Sequence, residues 1–369
     1  MTILRTNTIA GIGTNGPVFD GDLEFNSQNY VILPKGTTDN RIGLTSTSGA
    51  LRYNTDSSKV ELYDGSQWTE VQSSRPDLNG GARGVFGGGR SAAPSFAVQN
   101  TIDYVTISST GNAIDFGDLT TTRRLLGSCS SNTRGVFAGG VTPSYDNTID
   151  YVTISSTGNA ADFGDLTQTR LGASGCSSST RGVFGGGYTP TTVNTIDYIT
   201  IASTGNAVDF GDRTSLIRYS GACSSSTRGV WGGGSGPSNV IDFVTISTLG
   251  NASDFGDLTQ GNALLAAVSS STRGVFGGGA TPTATNVIQY ITISTLGSAV
   301  RFGDLTQSKI SLEAVSSPTR GVFGGGYTPT IINTIDYITI TTQGNAVYFG
   351  DLTSARDQLS SCSNGHGGL

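Results

Sequence analysis

The octapeptide Thr180-Arg181-Gly182-Val183-Phe184-Gly185-Gly186-Gly187 returns, lightly edited, along most of the chain. Its copies start at Arg83, Arg134, Arg181, Arg228, Arg273 and Arg320, separated by 51, 47, 47, 45 and 47 residues. Two further signatures keep step. Ile102-Asp103-Tyr104 is echoed at Ile149, Ile196, Ile241, Ile288 and Ile335, and Phe116-Gly117-Asp118 at Phe163, Phe210, Phe255, Phe302 and Phe349. A fixed period of this length means that one repeat is one supersecondary unit of a propeller or solenoid, unable to bury its apolar face alone.

Each repeat reads as four short strands, illustrated by residues 127–166. The first is Gly127-Ser128-Cys129-Ser130, small enough for a crowded axis, and the second is Gly135-Val136-Phe137, stopped by Gly139-Gly140. The third, Thr148 to Ile154, is rich in β-formers, and the fourth is Ala160 to Phe163. Four strands in about 47 residues make a propeller blade. The copy at Arg83 lacks the Ser-Cys-Ser-Ser strand, which reappears at the far end as Leu359 to Asn364. The reading is therefore an all-β fold: a six-bladed β-propeller over residues 80–369, closed by the C-terminal strand, with its sheet edges removed by closure.

Residues 1–72 stand outside the repeat. Short strands are expected at Leu23–Phe25, Tyr30–Leu33, Ala50–Tyr53 and Val60–Tyr63, with turns at Pro34-Lys35-Gly36, Asn54-Thr55-Asp56 and Asp64-Gly65. So small a segment buries little core by itself, which predicts an attachment or oligomerisation role. Residues 73–79 read as a linker.

Composition narrows the chemistry. The 54 glycines and the 13% charged residues are those of a turn-rich β protein. A net charge of −6, with arginines spread singly, argues against nucleic-acid binding. The N-terminus shows no apolar signal-peptide core and no run long enough to span a membrane, so the expectation is synthesis in a cytoplasm.

Cys129, Cys176, Cys223 and Cys362 each follow the Asp of Phe-Gly-Asp by 11 residues, and Val268 and Val315 fill that place elsewhere. Interchange with Val marks a buried apolar position rather than a disulfide or zinc ligand. Asp118 and its equivalents are expected to accept hydrogen bonds from their own turns. The mid-strand carboxylates Asp103, Asp150, Asp197, Asp242 and Asp336, with Gln289 in the fifth copy, need a partner if buried, and the arginine of Thr-Arg-Gly is the expected one.

No metal or cofactor site is expected, and no catalytic one. The glycine runs lack the Lys-Ser/Thr of a phosphate loop. The single histidine, His366, lies in a tail that reads as flexible, and Glu is scarce in the repeats. The variable segments are the loops after the glycines, and they share a face with the turns after Phe-Gly-Asp. Tyr145, Tyr188 and Tyr327 offer stacking surfaces there and are the candidate ligand-binding residues.

Two resemblances add to this reading. From residue 80 onward the order of Gly139-Gly140, Asn147 to Tyr151, and Arg170 after the fourth strand resembles the kelch repeat, with Phe163 standing where kelch blades usually carry Trp. Kelch implies a fold and a binding surface. Across the whole chain, Ile3 to Ile9, Tyr30 to Thr38, Leu51 to Thr55 and Tyr63 to Trp68, together with the repeats, resemble tail-fibre and other virion structural proteins of phages of marine cyanobacteria. That resemblance implies a virion protein. Residues 1–72 would attach it to other virion proteins, as a homo-oligomer, and the propeller would be displayed toward a host-surface glycan or protein. The alternatives are a capsid decoration protein and a carbohydrate-active enzyme on the same scaffold.

Overall fold

The computed structural model describes residues 33–41, 48–57, 59–71 and 82–369. The expected strands at Leu23–Phe25 and over Tyr30–Ile32, and the linker at 73–79, lie outside the described residues. The chain divides into two compact units, residues 1–75 and 76–369. Among the described residues the regular structure is β-strand apart from one 3-10 turn at Asp39–Arg41.

The first unit contains a four-stranded sheet. Lys35–Gly36 runs parallel to Leu51–Asn54, which pairs antiparallel with Lys59–Tyr63 and so on to Trp68–Glu70. Pro34-Lys35-Gly36, expected as a turn, thus supplies a short edge strand. The Asp64-Gly65 turn forms where expected: the Asp64 carboxylate accepts the Gln67 and Ser66 amides at 2.8 and 2.7 Å, which lowers its pKa. Glu61 is fully buried, and Asn54 donates to it at 2.7 Å while Arg41 and Arg52 neutralise it.

The second unit is six four-stranded antiparallel sheets, one per repeat. The second sheet joins Gly127–Ser130, Arg134–Thr142, Ser144–Thr153 and Ala161–Asp165 in chain order. The first sheet is completed from the far end of the sequence. Ser360–Ser363 pairs with Arg83–Gly87, with Cys362 opposite Val85. In sheets two and three the second strand does not stop at the glycines. It crosses them through a bulge and continues as a long hairpin, Arg134–Thr142 with Ser144–Thr153 and Arg181–Thr189 with Thr191–Thr200.

The cores lie between sheets. Each of six apolar clusters joins one sheet to the next, and the sixth sheet to the first: Val322, Ile335 and Phe349 pack with Phe86, Val105 and Ile107. The cysteine position explains the invariant glycine. A Cβ on Gly182 would sit 2.3 Å from Cys129 Sγ of the neighbouring sheet, and one on Gly84 would sit 2.3 Å from Val315. The Cys or Val side chain of one sheet therefore occupies the space that Arg-Gly-Val leaves open on the next. The four thiols are free and buried, and desolvation raises their pKa values, so they are unreactive packing groups.

The outer edges are covered as well. Gly158 N and Ala160 N donate to the carbonyls of Phe116 and Asp118 on the preceding sheet, and Asn159 Oδ1 accepts from Asp118 N at 3.1 Å. The same loop at Gly111 to Ala113 covers the sixth sheet at Phe349 and Asp351. These contacts correct one expectation: the Phe-Gly-Asp turn docks the next repeat through its backbone, rather than capping itself with its carboxylate.

Candidate functional site

The mid-strand carboxylates are buried and paired, but not with the Thr-Arg-Gly arginines. Asp103 meets Arg356 at 2.6 Å, Asp197 meets Arg170 at 2.9 Å, Asp242 meets Arg213 at 2.8 Å and Asp336 meets Lys309 at 3.0 Å; Asp150 meets Arg123. Each base comes from the segment that leaves the preceding sheet. Arg123 also donates to the carbonyls of Gly139 and Thr148 at 2.9 and 2.6 Å, so the pair ties this linker to the glycine loop. Thr120 completes the carboxylate shell through its hydroxyl at 2.6 Å. In the fifth sheet both charges are lost together: Gln289 stands for the acid and Asn262 for the base. Burial lowers the Lys309 pKa, and Asp336 opposes that shift.

The Thr-Arg-Gly arginines are structural in another way. Arg134 lies 4.6 Å from the ring centre of Tyr151 and donates to the Ile201 carbonyl of the next sheet at 3.0 Å. Arg181, Arg228, Arg273 and Arg320 repeat the arrangement. The base they would have supplied to the carboxylates therefore comes from elsewhere, because the stack and the carbonyl already occupy the guanidinium.

With these anchors in place, the glycine loops and the post-Phe-Gly-Asp segments lie side by side. Arg124 bridges to Val141, Leu171 to Tyr188 and Ile310 to Tyr327. On this face the two long hairpins bring Tyr145 and Tyr188 together, edge to face, with ring centres 5.7 Å apart. Arg218 lies 4.3 Å from the Tyr188 ring centre and 5.0 Å from that of Tyr219, and its Nε is buried without a partner. Tyr219 has φ of 64° and rests its ring against Gly172, where a Cβ would come within 2.5 Å. The Tyr219 pKa is raised by burial, against the pull of Arg218 and Arg124.

Tyr145, Tyr188, Arg218 and Tyr219 thus form one half-buried cluster of aromatic faces around a cation, able to stack a ring and donate to an acidic or hydroxyl group. Tyr327 lies apart from it on the sixth sheet's loop, exposed and near the ion pair of Arg90 and Asp357, which are 2.7 Å apart.

Arg218 and Tyr219 are absent from the sequence reading, although a signal was there. In the fourth repeat the base moves to Arg213, where other repeats have Leu119 or Leu166, and Ile217 takes the usual place of the base. Arg213 still reaches Asp242 and lies 5.4 Å from the centre of Trp231, the one tryptophan among the repeated phenylalanines. A repeat that rearranges three core positions at once marks where its linker departs from the pattern.

The inner strands and the segments before them carry a second set of contacts. Six residues with φ between 53° and 65°, namely Leu125, Gly172, Tyr219, Leu264, Ser311 and Gln358, are joined head to tail by backbone hydrogen bonds of 2.8 to 3.1 Å. The last of these, Leu125 N to Gln358 O, returns to the start. At the other end, serines 130, 177, 224, 269, 316 and 363 link neighbouring inner strands through their hydroxyls. There the chain's last residues pack against the inner strands. His366 Nε2 lies 3.2 Å from Ser130 O, with desolvation lowering its pKa to about 4, so the tail is packed rather than free.

Among the described residues, no three His, Cys, Asp or Glu side chains are placed to hold a metal ion, and no helix is long and apolar enough to cross a membrane. No protein-family model matches the chain, and no curated protein matches it.

Proposed function

We propose that residues 80–369 form a six-bladed, kelch-like β-propeller. We read the whole as a virion structural protein, a tail fibre or other tail-associated appendage, that attaches through residues 1–72 to other virion proteins as a homo-oligomer. The propeller reading is supported by six interfaces of one kind, the sixth sheet against the first included, and by the backbone circuit through Leu125 and Gln358. The virion reading rests on the resemblance of the N-terminal motifs and repeats.

The role we assign is attachment to a host-surface glycan or protein. The observation that carries it is the Tyr145–Tyr188–Arg218–Tyr219 cluster. The Thr-Arg-Gly arginines and the bases paired with the mid-strand carboxylates are taken up in packing, whereas Arg218 is held between two rings on the variable-loop face. Sugar rings stack on tyrosine, and a guanidinium supplies paired donors to a carboxylate or hydroxyls.

Binding of labelled full-length protein to host cells tests the assignment. Tyr188→Ala and Arg218→Ala are each expected to weaken binding about tenfold or more, as truncation of an interface anchor does, while Tyr327→Ala leaves it unchanged. Equal binding by all three variants, or no binding by the wild type, contradicts it.

A further inference from the structure

Glu313 opens the innermost strand of the sixth sheet. The equivalent residues in the other five sheets are Gly127, Ser174, Gly221, Ala266 and Ser360. One carboxyl therefore projects into an axial space that every other repeat keeps small. Two cavities meet around it. The outer one, of about 50 Å³, opens inside the ring of Leu125, Tyr219 and Leu264 on the variable-loop face, and leucines share its wall with polar residues such as Ser174, Ser220 and Gln358. The inner one, of about 60 Å³, is walled by serines, glycines and alanines. Glu313 lines both. The far end of the axis is crossed by the tail, whose Gly367 and Gly368 lie against the carbonyls of Ser270 and Ser177.

The carboxyl is poorly provided for. Ser361 Oγ lies 3.2 Å from Glu313 Oε2 and 2.9 Å from the Ala314 carbonyl, so one hydroxyl proton serves two acceptors. Desolvation pushes the Glu313 pKa up to about 8, against the weaker pull of Ser361 and the Ala314 amide. A half-buried acid of this kind is mostly protonated at neutral pH, and with water-sized space beside it, it ionises when a cation arrives to pair with it.

We propose that this axial pocket binds a primary alkylammonium group. The aliphatic stem lies in the leucine collar, and the ammonium sits against Glu313 with its remaining N–H donors toward the serine oxygens. Three observations select this class. The carboxyl excludes anions. A hard metal ion needs several converging oxygens, and one carboxylate among hydroxyls already bonded to backbone does not supply them. The order of the walls, leucine-bearing and mixed outside and polar within, matches a cation at the end of a hydrocarbon stem, and each cavity exceeds the ~10–15 Å³ a single water needs. The site stands on the cavity and Glu313 alone, whether or not the surrounding face binds a host.

Titration of the full-length protein with n-butylammonium, followed by calorimetry, tests the proposal. Saturable binding is expected, weakened at least about thirtyfold in Glu313→Gln, the change expected when one partner of a buried charge pair loses its charge. Glu313→Ser, which restores the residue found in two other sheets, keeps the fold and serves as a second variant whose melting curve certifies it. Butan-1-ol, with the stem but no charge, is expected to bind far more weakly. Comparison with Nα-acetyl-lysine amide separates the sources: equal affinity points to a lysine side chain of a partner, and exclusion points to a free amine. Absence of n-butylammonium binding at millimolar concentration, or equal binding by Glu313→Gln, overturns the proposal.

Discussion

Separating the two members of one buried pair gives the sharpest energetic test of the sheet interfaces. Asp150 and Arg123 are both fully buried. Replacing Asp150 by Gln leaves Arg123 charged, with the Gly139 and Thr148 carbonyls as partners but no counter-charge. Replacing Arg123 by Asn leaves Asp150 with Thr120 alone among the neighbours that donate to it. Each single change is expected to cost about 3–5 kcal/mol, the usual penalty for stranding a buried charge.

The double variant copies the fifth sheet. There Asn262 donates to the Gly278 carbonyl at 2.6 Å, and Gln289 accepts from the Thr259 amide and hydroxyl at 2.7 and 2.9 Å. Asn262 Oδ1 has no partner, so the copy is expected to cost about 1–2 kcal/mol, the price of one unmet polar atom. Thermal unfolding reads the difference: a drop of roughly 6–10 °C for either single variant and of about 2–4 °C for the double, at ~2 °C per kcal/mol for a unit of this size. A double variant whose loss equals the sum of the two single losses would refute the reasoning, because no coupling would then exist between the two charges.

Two further outcomes follow from the same geometry. Gly182→Ala is expected to destabilise by about 1–3 kcal/mol through overpacking against Cys129, and Cys129→Ala in the same chain to recover part of it; additive costs in denaturant melts would count against the contact. His366 is held neutral in the fold with its pKa lowered from 6.5 to about 4. The unfolded chain then binds more protons between these values, so His366's contribution is whole above pH 6.5 and is lost as pH falls toward 4, by at most about 3 kcal/mol. Melting curves of His366→Gln should lack that increment; an identical acid profile in the two proteins would show that His366 does not couple to folding.

The strands were largely legible because their signals are local and repeated. The inner Gly127–Ser130 strand, the completion of the first sheet by Ser360–Ser363 and the Cys/Val packing position all follow from comparing copies of one pattern. Partner choice was not legible. Two basic residues recur in five of the six repeats, and only the fold shows that Arg134 is taken up by Tyr151 and Ile201 O while Arg123 is free to reach Asp150. The Gly139-Gly140 doublet reads as a stop, yet in two sheets the ladder resumes beyond it, a matter of whether the loop can fold back as a hairpin. Tyr145 and Tyr188 meet because both sit on such hairpins, whereas Tyr327 has only a two-residue pair after its glycines. Glu313 looked unremarkable as a lone acid. Its surroundings come from six distant strands, and no window of sequence contains them.

We propose that this protein is carried on the tail of a virus particle. Immunogold electron microscopy of phage particles, with antibody raised against residues 80–369, tests it directly. Gold at the fibre tips or tail apparatus is the expected result. Gold spread over the capsid would contradict the tail assignment, and particles without gold would contradict the virion reading itself.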